Sequence, residues 1–448
     1  MKYILSLVVC LTCGLTSSAQ PQYSLSQLKD SALANNIAVR NARHDIMTAQ
    51  EQRREAFTKF FPNVSGTALW FNANKGMAET SLNPSEMMPS SLGTILAQSF
   101  PHEALMELAT PINISMMKNG TIAGVTAIQP IFAGGQIING NRLAKIGEDV
   151  GLLQLRLSEE EVEKNTEQYY WQIVSLQEKM KTIAAVEMLL ADINKDVSVA
   201  VKAGVAMRND LLQVQLRQND IASQKLKLEN GLSLIRMLLT QYCGLHDTTF
   251  TVVNNQNETV PPPLSLRQDH QSALLTIPEY QLLDKQVEAS MLQHKIEKGK
   301  NLPSVAVGAG YNYHNLMDRD QTFGMVFATV SVPISDWWGG SHAIRRSKIA
   351  QEKAEDQLRD NAALLQIRMQ NAWNGVEEAY QQLLLADRSI EQSAENLRLN
   401  RNYYQAGTST MSDLLEAQML YQQALDKRTD AYADYQNKIL EYRQATGK

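Results

Sequence analysis

Apolar positions along this chain follow two periods, and prolines mark where one gives way to the other. Tyr23 to Lys59 has helical spacing, interrupted near Asn35-Asn36, and Pro62 stops it. Asn63 to Asn72 then alternates, with Val64 set against Thr67, Leu69 and Phe71, and reads as a strand. Residues 74–120 form an insertion rich in Met, Ser and Pro, with a short helix expected over Ser90–Leu108. A second strand, Thr121 to Ile131, ends in Pro130-Ile-Phe-Ala-Gly134-Gly135. Nothing breaks the helical pattern from Gln136 to about Ala203, which amounts to about 100 Å of helix at 1.5 Å per residue. A return helix is expected from Asn209 to Tyr242.

The pattern then starts again. A helix from Ile277 to Lys300 is stopped by Pro303, and strands are expected over Ser304–Tyr313 and Phe323–Val332. Pro333 to Gly340 reads as a turn into a helix running from about Ser341 to Tyr404, and Met411 to Thr446 returns from it. In the long helix Trp373, Val376, Tyr380, Leu383, Ile390, Ala394, Leu397 and Tyr404 fall on heptad a and d positions, with Asp387 and Arg401 as exceptions. Such a run argues for coiled-coil packing.

The two halves match at a constant offset. Ala203-Gly204, Asp210-Leu-Leu and Gln215 correspond to Ala406-Gly407, Asp413-Leu-Leu and Gln418, and Pro130 corresponds to Pro333. Each Ala-Gly ends a helix in left-handed backbone, and Asn209-Asp210 or Ser412-Asp413 caps the next. Each copy is therefore the tip of a helical hairpin, and the chain is a duplication. The expected organisation is a signal peptide over 1–19, a first repeat over 20–243, a linker over 244–264 and a second repeat over 265–448.

Composition narrows the function. The chain is only 6% aromatic and carries a net charge of −5, so it has no basic footprint for nucleic acid. Lys2, the apolar run Ile4–Leu15 and the small residues Ser17 and Ala19 make a secretory signal. Cys10 and Cys13 lie within it, leaving Cys243 as the mature cysteine. Beyond it no apolar run reaches the length of a membrane-spanning helix. The seven histidines are scattered, and no P-loop, Rossmann or Gly-x-Ser-x-Gly signature occurs, so neither catalysis, a metal nor a cofactor is expected.

Four strands of about ten residues suit a tilted membrane crossing, yet about eight are needed to close a barrel. Strands in lipid would therefore have to be pooled among several chains. The other arrangement that fits is a soluble sheet capping a helical rod, as in a periplasmic coiled-coil scaffold or adaptor without a pore.

The whole duplicated organisation resembles the outer-membrane efflux protein family, the TolC-like channels. The resemblance rests on the Phe60-Phe-Pro62-Asn-Val and Leu302-Pro303-Ser-Val junctions and on Gln129-Pro130-Ile-Phe-Ala-Gly-Gly135. Val332-Pro333-Ile334 through Gly340 and the two Ala-Gly…Asp-Leu-Leu…Gln tips complete it. It implies a mainly α fold with a membrane β-barrel portion: a homotrimer with a twelve-stranded barrel in outer-membrane lipid, four strands per chain, continued by a long coiled-coil periplasmic tunnel. It further implies an exit duct for tripartite efflux or type I secretion, docked to a periplasmic adaptor (membrane fusion) protein and an inner-membrane transporter of RND or ABC type. Residues 74–120 and 314–322 would be extracellular loops, the linker would join an equatorial belt, and Trp337, Trp338 and Phe132 would sit at an interfacial girdle. Pro130, Gly134, Gly135, Pro333, Gly339 and Gly340 would make the strand-to-helix turns.

In the family, acidic residues after the second tip ring the narrowest opening. The matching positions are Asp413 and Glu416. Such a ring favours cations and raises the pKa of some members through like-charge repulsion. Tyr404 and Asp210 match a gate latch between hairpins, with Gly204 and Gly407 at the tips. Some members carry an arginine where this chain has Ser409, so a latch relying on that cation is absent or rebuilt with Arg208.

Overall fold

The prolines act as their missing N–H and fixed φ require. In the computed structural model, which describes residues 21–76, 78–83, 112–116, 118–254, 260–316, 319–334 and 336–448, helix ends at Thr58 and Lys300 and strand begins at Asn63 and Ser304, just after Pro62 and Pro303. The order is β1 (Gln22–Tyr23), α1 (Leu25–Asn35), α2 (Ile37–Thr58), β2 (Asn63–Asn72), β3 (Ala78–Leu82), β4 (Ile112–Met116), β5 (Asn119–Ala133), α3 (Gln136–Lys202) and α4 (Arg208–Cys243). There follow β6 (Thr251–Val252), α5 (His270–Leu274), α6 (Pro278–Lys300), β7 (Ser304–Leu316), β8 (Arg319–Ser331), α7 (Asp336–Gln405) and α8 (Met411–Thr446). The signal segment and the helix expected over 90–108 lie outside the described residues. The antiparallel β3–β4 pair is an element the sequence pattern did not predict. Among the described residues no helix is long and apolar enough to cross a membrane.

The chain divides into two units. One comprises Glu51–Lys145 and Ala289–Gln351 and holds a four-stranded antiparallel sheet in the order β2-β5-β7-β8. Pro130 is tolerated in the central strand β5 because β2 ends opposite Ile128, and the β5–β7 register shifts between Pro130 and Phe132. Directly paired residues share a face. One face carries Val64, Trp70, Val125, Val307, Tyr311, Val326 and Val330, all exposed, with Trp70 at 71% and Val326 at 86%. The other carries Gly120, Gly124, Gly308 and Gly310 beside Ser65, Thr126 and Asn312, and among them the apolar Leu69, Ile122, Ile128, Phe323, Met325 and Phe327. The outer edges of β2 and β8 have no partner strand among the described residues. Strands β7 and β8 run further than expected, so Asp320 lies in β8 rather than a loop. It accepts hydrogen bonds from the Tyr313 hydroxyl at 2.8 Å and the Asn315 amide at 2.6 Å.

The other unit comprises the residues up to Gln50 together with Ile146–Glu288 and Glu352–Lys448, and is helical. The heptad positions Trp373, Val376 and Leu383 are buried in its core with Trp171, Tyr432, Tyr435 and Tyr442. Trp171 meets Tyr432 at 5.7 Å between ring centroids, and Trp373 meets Tyr442 at 5.2 Å. The break at Asn35-Asn36 has a function in this packing. Ser31 and Asn35 donate to the Cys243 carbonyl, and Asn36 donates to the Tyr242 carbonyl, satisfying the end of α4. The linker is less polar in its role than its composition: Phe250 and Val252 are buried, β6 pairs in parallel with β1, and Tyr435 donates to the Pro261 carbonyl at 2.6 Å.

Candidate tip and gate site

The two hairpin tips turn as their sequences require. Gly204 (φ 76°) and Gly407 (φ 73°) are left-handed, a conformation costly for residues with a Cβ. The cap residues, however, lie before both expected pairs, at Met207 and Thr410. α8 is capped by Thr410, whose hydroxyl accepts the Asp413 N–H at 3.2 Å, while Asp413 occupies the third helical position and completes a capping box. Its Oδ2 accepts from the Thr410 N–H at 2.9 Å, the Thr410 hydroxyl at 2.7 Å and the Ser409 hydroxyl at 3.0 Å. At the first tip the cap position is Met207. Asp210 accepts the Met207 N–H at 3.2 Å, but a thioether gives no oxygen acceptor in return. The Thr-x-x-Asp spacing is the signal that places the cap, and it reads more strongly than Ser412-Asp413.

These bonds set the charge of the tip. Hydrogen bonds from Thr410, then from Ser409, hold the Asp413 carboxyl below the ordinary range, opposite to the rise that a ring of like charges produces. Asp413 and Glu416 are both exposed on the chain. Ser409 serves the cap through this bond to Asp413.

Tyr404 is half-buried against Ile193, Val197, Val214, Met411 and Leu414, in keeping with its heptad position. Burial first, and the Asp210 charge second, push its phenol up. Among the described residues no hydrogen bond joins Tyr404 to Asp210, and Arg208 is exposed without an ion pair. The tips are tied instead by a long Ser412 to Gln213 contact of 3.4 Å.

The two strand-to-helix turns differ, which corrects the symmetric expectation. Gly134 (φ 59°) and Gly135 (φ 77°) form a true turn. Gly339 and Gly340 instead lie in the first turns of α7, which begins at Asp336, so the second junction is confined to the segment around Pro333. The Trp337 indole donates to the Asn301 carbonyl at 3.1 Å, and a Cβ on Gly340 would meet the Asn301 side chain at 1.7 Å. That close approach explains the glycine.

Sequence reasoning missed a polar layer beyond the tips. Arg217 of α4 donates to Gln418 at 3.2 Å and to Gln422 at 2.8 Å on α8, and Gln422 donates to Gln224 at 2.9 Å. Its signal was present: Gln418, Gln422, Asp426 and Asp430 recur every fourth residue along α8.

The family model described as outer membrane efflux protein matches residues 271–448. No curated protein matches the chain by sequence. Among solved structures, the outer-membrane channel OprN aligns at 16% identity over 94% of this chain and 89% of its own, with a TM-score of 0.75. VceC of Vibrio cholerae aligns at 14% over 94% and 96%, with a TM-score of 0.73. The CmeC outer membrane channel of Campylobacter jejuni aligns at 16% over 94% and 85%, with a TM-score of 0.74. Residues 271–448 carry the outer membrane efflux protein domain, and over 94% of its length the chain has the fold found in outer-membrane channels.

Proposed function

We propose that the chain is one protomer of a gated outer-membrane conduit, the exit duct of a tripartite efflux or type I secretion system. The observation that carries this reading is the four-stranded sheet whose two outer edges have no partner strand among the described residues and whose large apolar side chains are exposed, in a chain whose fold matches outer-membrane channels over 94% of its length. An open strand edge in lipid leaves backbone groups unsatisfied, and closure with copies of the same chain removes both edges. Three copies give twelve strands. The apolar face then meets lipid and the glycine-rich face the lumen.

The conduit is passive rather than enzymatic. Energy comes from an inner-membrane transporter, of RND or ABC type, coupled through a periplasmic adaptor. The tips form the gate, with Asp413 and Glu416 at its constriction and Tyr404, Asp210 and Arg208 at the contacts between hairpins. The Asp413 carboxylate, whose pKa the cap holds down, is ionised at neutral pH as an ordinary aspartate is, and favours cations.

The test is single-channel conductance of the purified protein in planar bilayers, for the parent and for Asp413→Asn/Glu416→Gln. These replacements remove charge while keeping side-chain oxygens able to accept the cap bonds. The expected result is a cation-preferring pore in the parent and loss of that preference in the variant. An unchanged preference moves the constriction elsewhere, and a correctly assembled but silent parent refutes the conduit.

A further inference from the structure

The layer around Arg217 is out of place by the logic of the core that surrounds it. On one side lie Ile193, Val197, Val214, Met411 and Leu414. On the other lie Ile183, Val186, Leu190 and Ile221. Between them, Gln418 is 1% exposed and Gln422 4%, and both accept from Arg217, which has no carboxylate within ion-pair distance among the described residues. Burial pushes its guanidinium pKa down. The Gln418 amide nitrogen is buried with no hydrogen-bond partner. The row continues one turn at a time: one Asp426 carboxylate oxygen is also buried without a partner, and Asp430 accepts from Ser175 at 3.1 Å and pairs with Lys179 at 2.7 Å.

A cation hydrogen-bonded only to neutral amides, with the Asp220 charge acting from outside ion-pair distance, is a poor choice for static stability, since a well-packed apolar layer does as well or better. Its advantage appears when the helices part. Apolar side chains lose their burial on separation, whereas Arg217 and the three glutamines exchange their mutual bonds for water. The duplication sharpens the point: at the constant offset Arg217 corresponds to Leu420, and the buried Gln418 to the exposed Gln215. The layer was therefore built on one side only, where α8 leaves the tip two residues after Glu416.

We propose that Arg217 is a positioning residue of the constriction: through Gln418 and Gln422 it seats α8 on α4, in a seam that water can enter when α8 moves. This rests on the gated-conduit reading above, which locates the constriction on α8.

The test compares three variants in the assembled full-length protein. Arg217→Ala leaves two buried amide oxygens without their donor, so amide hydrogen exchange over residues 414–425 is expected to rise at least fivefold and channel openings to become more frequent. Arg217→Lys restores a donor and is expected to recover at least half of each effect. The apolar layer Arg217→Leu/Gln418→Leu/Gln422→Leu is expected to slow exchange in that segment and reduce openings, with thermal stability equal to or above the parent. A merely structural layer would lose stability in both the alanine and apolar variants and shift exchange in the same direction. That outcome, or exchange indifferent to all three variants, overturns the proposal. Exchange is read without a pore, so a parent silent in bilayers would refute the conduit while the seam is still decided.

Discussion

The Gly-Gly pairs at the two strand-to-helix junctions, four residues after Pro130 and six after Pro333, differ in conformation, and a four-variant alanine series separates them. At Gly134 an added Cβ would lie 2.1 Å from the Gly299 carbonyl oxygen, and the residue holds φ 59°. The left-handed backbone costs a substituted residue about 1–2 kcal/mol. The clash is with backbone rather than a movable side chain, so overpacking adds about 1–3 kcal/mol. Gly135 shares the strain (φ 77°) but meets nothing closer than the Asn139 amide at 3.6 Å, so only the first contribution applies. At Gly340 the obstacle is the Asn301 side chain, which can swing but only by breaking its bond to the Glu297 carbonyl at 3.1 Å. Gly339 is helical with open space around it, so alanine there is expected to stabilise by about 0.5–1 kcal/mol. The assay is the temperature at which the assembled protein dissociates, read as heat-modifiable mobility on gels. The expected order of dissociation temperature is Gly339→Ala above parent, Gly135→Ala and Gly340→Ala below it, and Gly134→Ala lowest. Equal losses at Gly339 and Gly134 would refute the asymmetry and restore two equivalent turns.

Two further outcomes follow from buried groups in the helical unit. Cys243 is buried and its thiol is pushed up to about 12, chiefly by desolvation; thiol reagents near neutral pH are expected to label it only after denaturation, and rapid labelling of the folded protein would contradict its burial. Asp426 is pushed above the ordinary 3.8 by burial and by Asp430, against the lowering charge of Lys179 and the bond with Gln422. A carboxyl whose folded pKa is raised contributes stability while protonated and loses it as pH climbs through that raised value. Asp426→Asn is therefore expected to stabilise the protein at pH 7, by an amount that shrinks as pH falls through the folded pKa toward 3.8; a stability difference independent of pH would show that Asp426 does not titrate in the seam.

What could be read from the sequence was whatever local chemistry decides. Prolines 62 and 303 stopped helices, Gly204 and Gly407 turned the tips, and the heptads placed Trp373, Val376 and Leu383 in the core, because backbone limits and periodicity act over a few residues. The cap positions were misplaced by two to three residues because a capping box is reciprocal: Asp413 belongs to Thr410, and a lone Ser-Asp pair looks equally suitable. Gly339-Gly340 looked like a turn because its twin at Gly134-Gly135 is one; what differs is the approach of Asn301 and the hold on Trp337, both from another segment. The seam of Arg217 escaped for the same reason. Charged and amide residues on a helix are usually solvated, and only the packing of α4 on α8 reveals that these are not.

The pairing of residues 22–23 with 251–252, together with the bonds from Ser31, Asn35 and Asn36 to the end of α4, also dictates an order of events. These contacts join parts of the chain 206 to 229 residues apart, so their closure carries a large loop entropy until intervening helices have formed. The first arm must therefore wait, unpaired, until α4 is complete, and then shuts the first repeat like a clasp. Assembly of the first half is timed by its last helix. A fault at Cys243 or Gly244 would be felt earliest at residues 22–36, at the far end of the repeat in sequence.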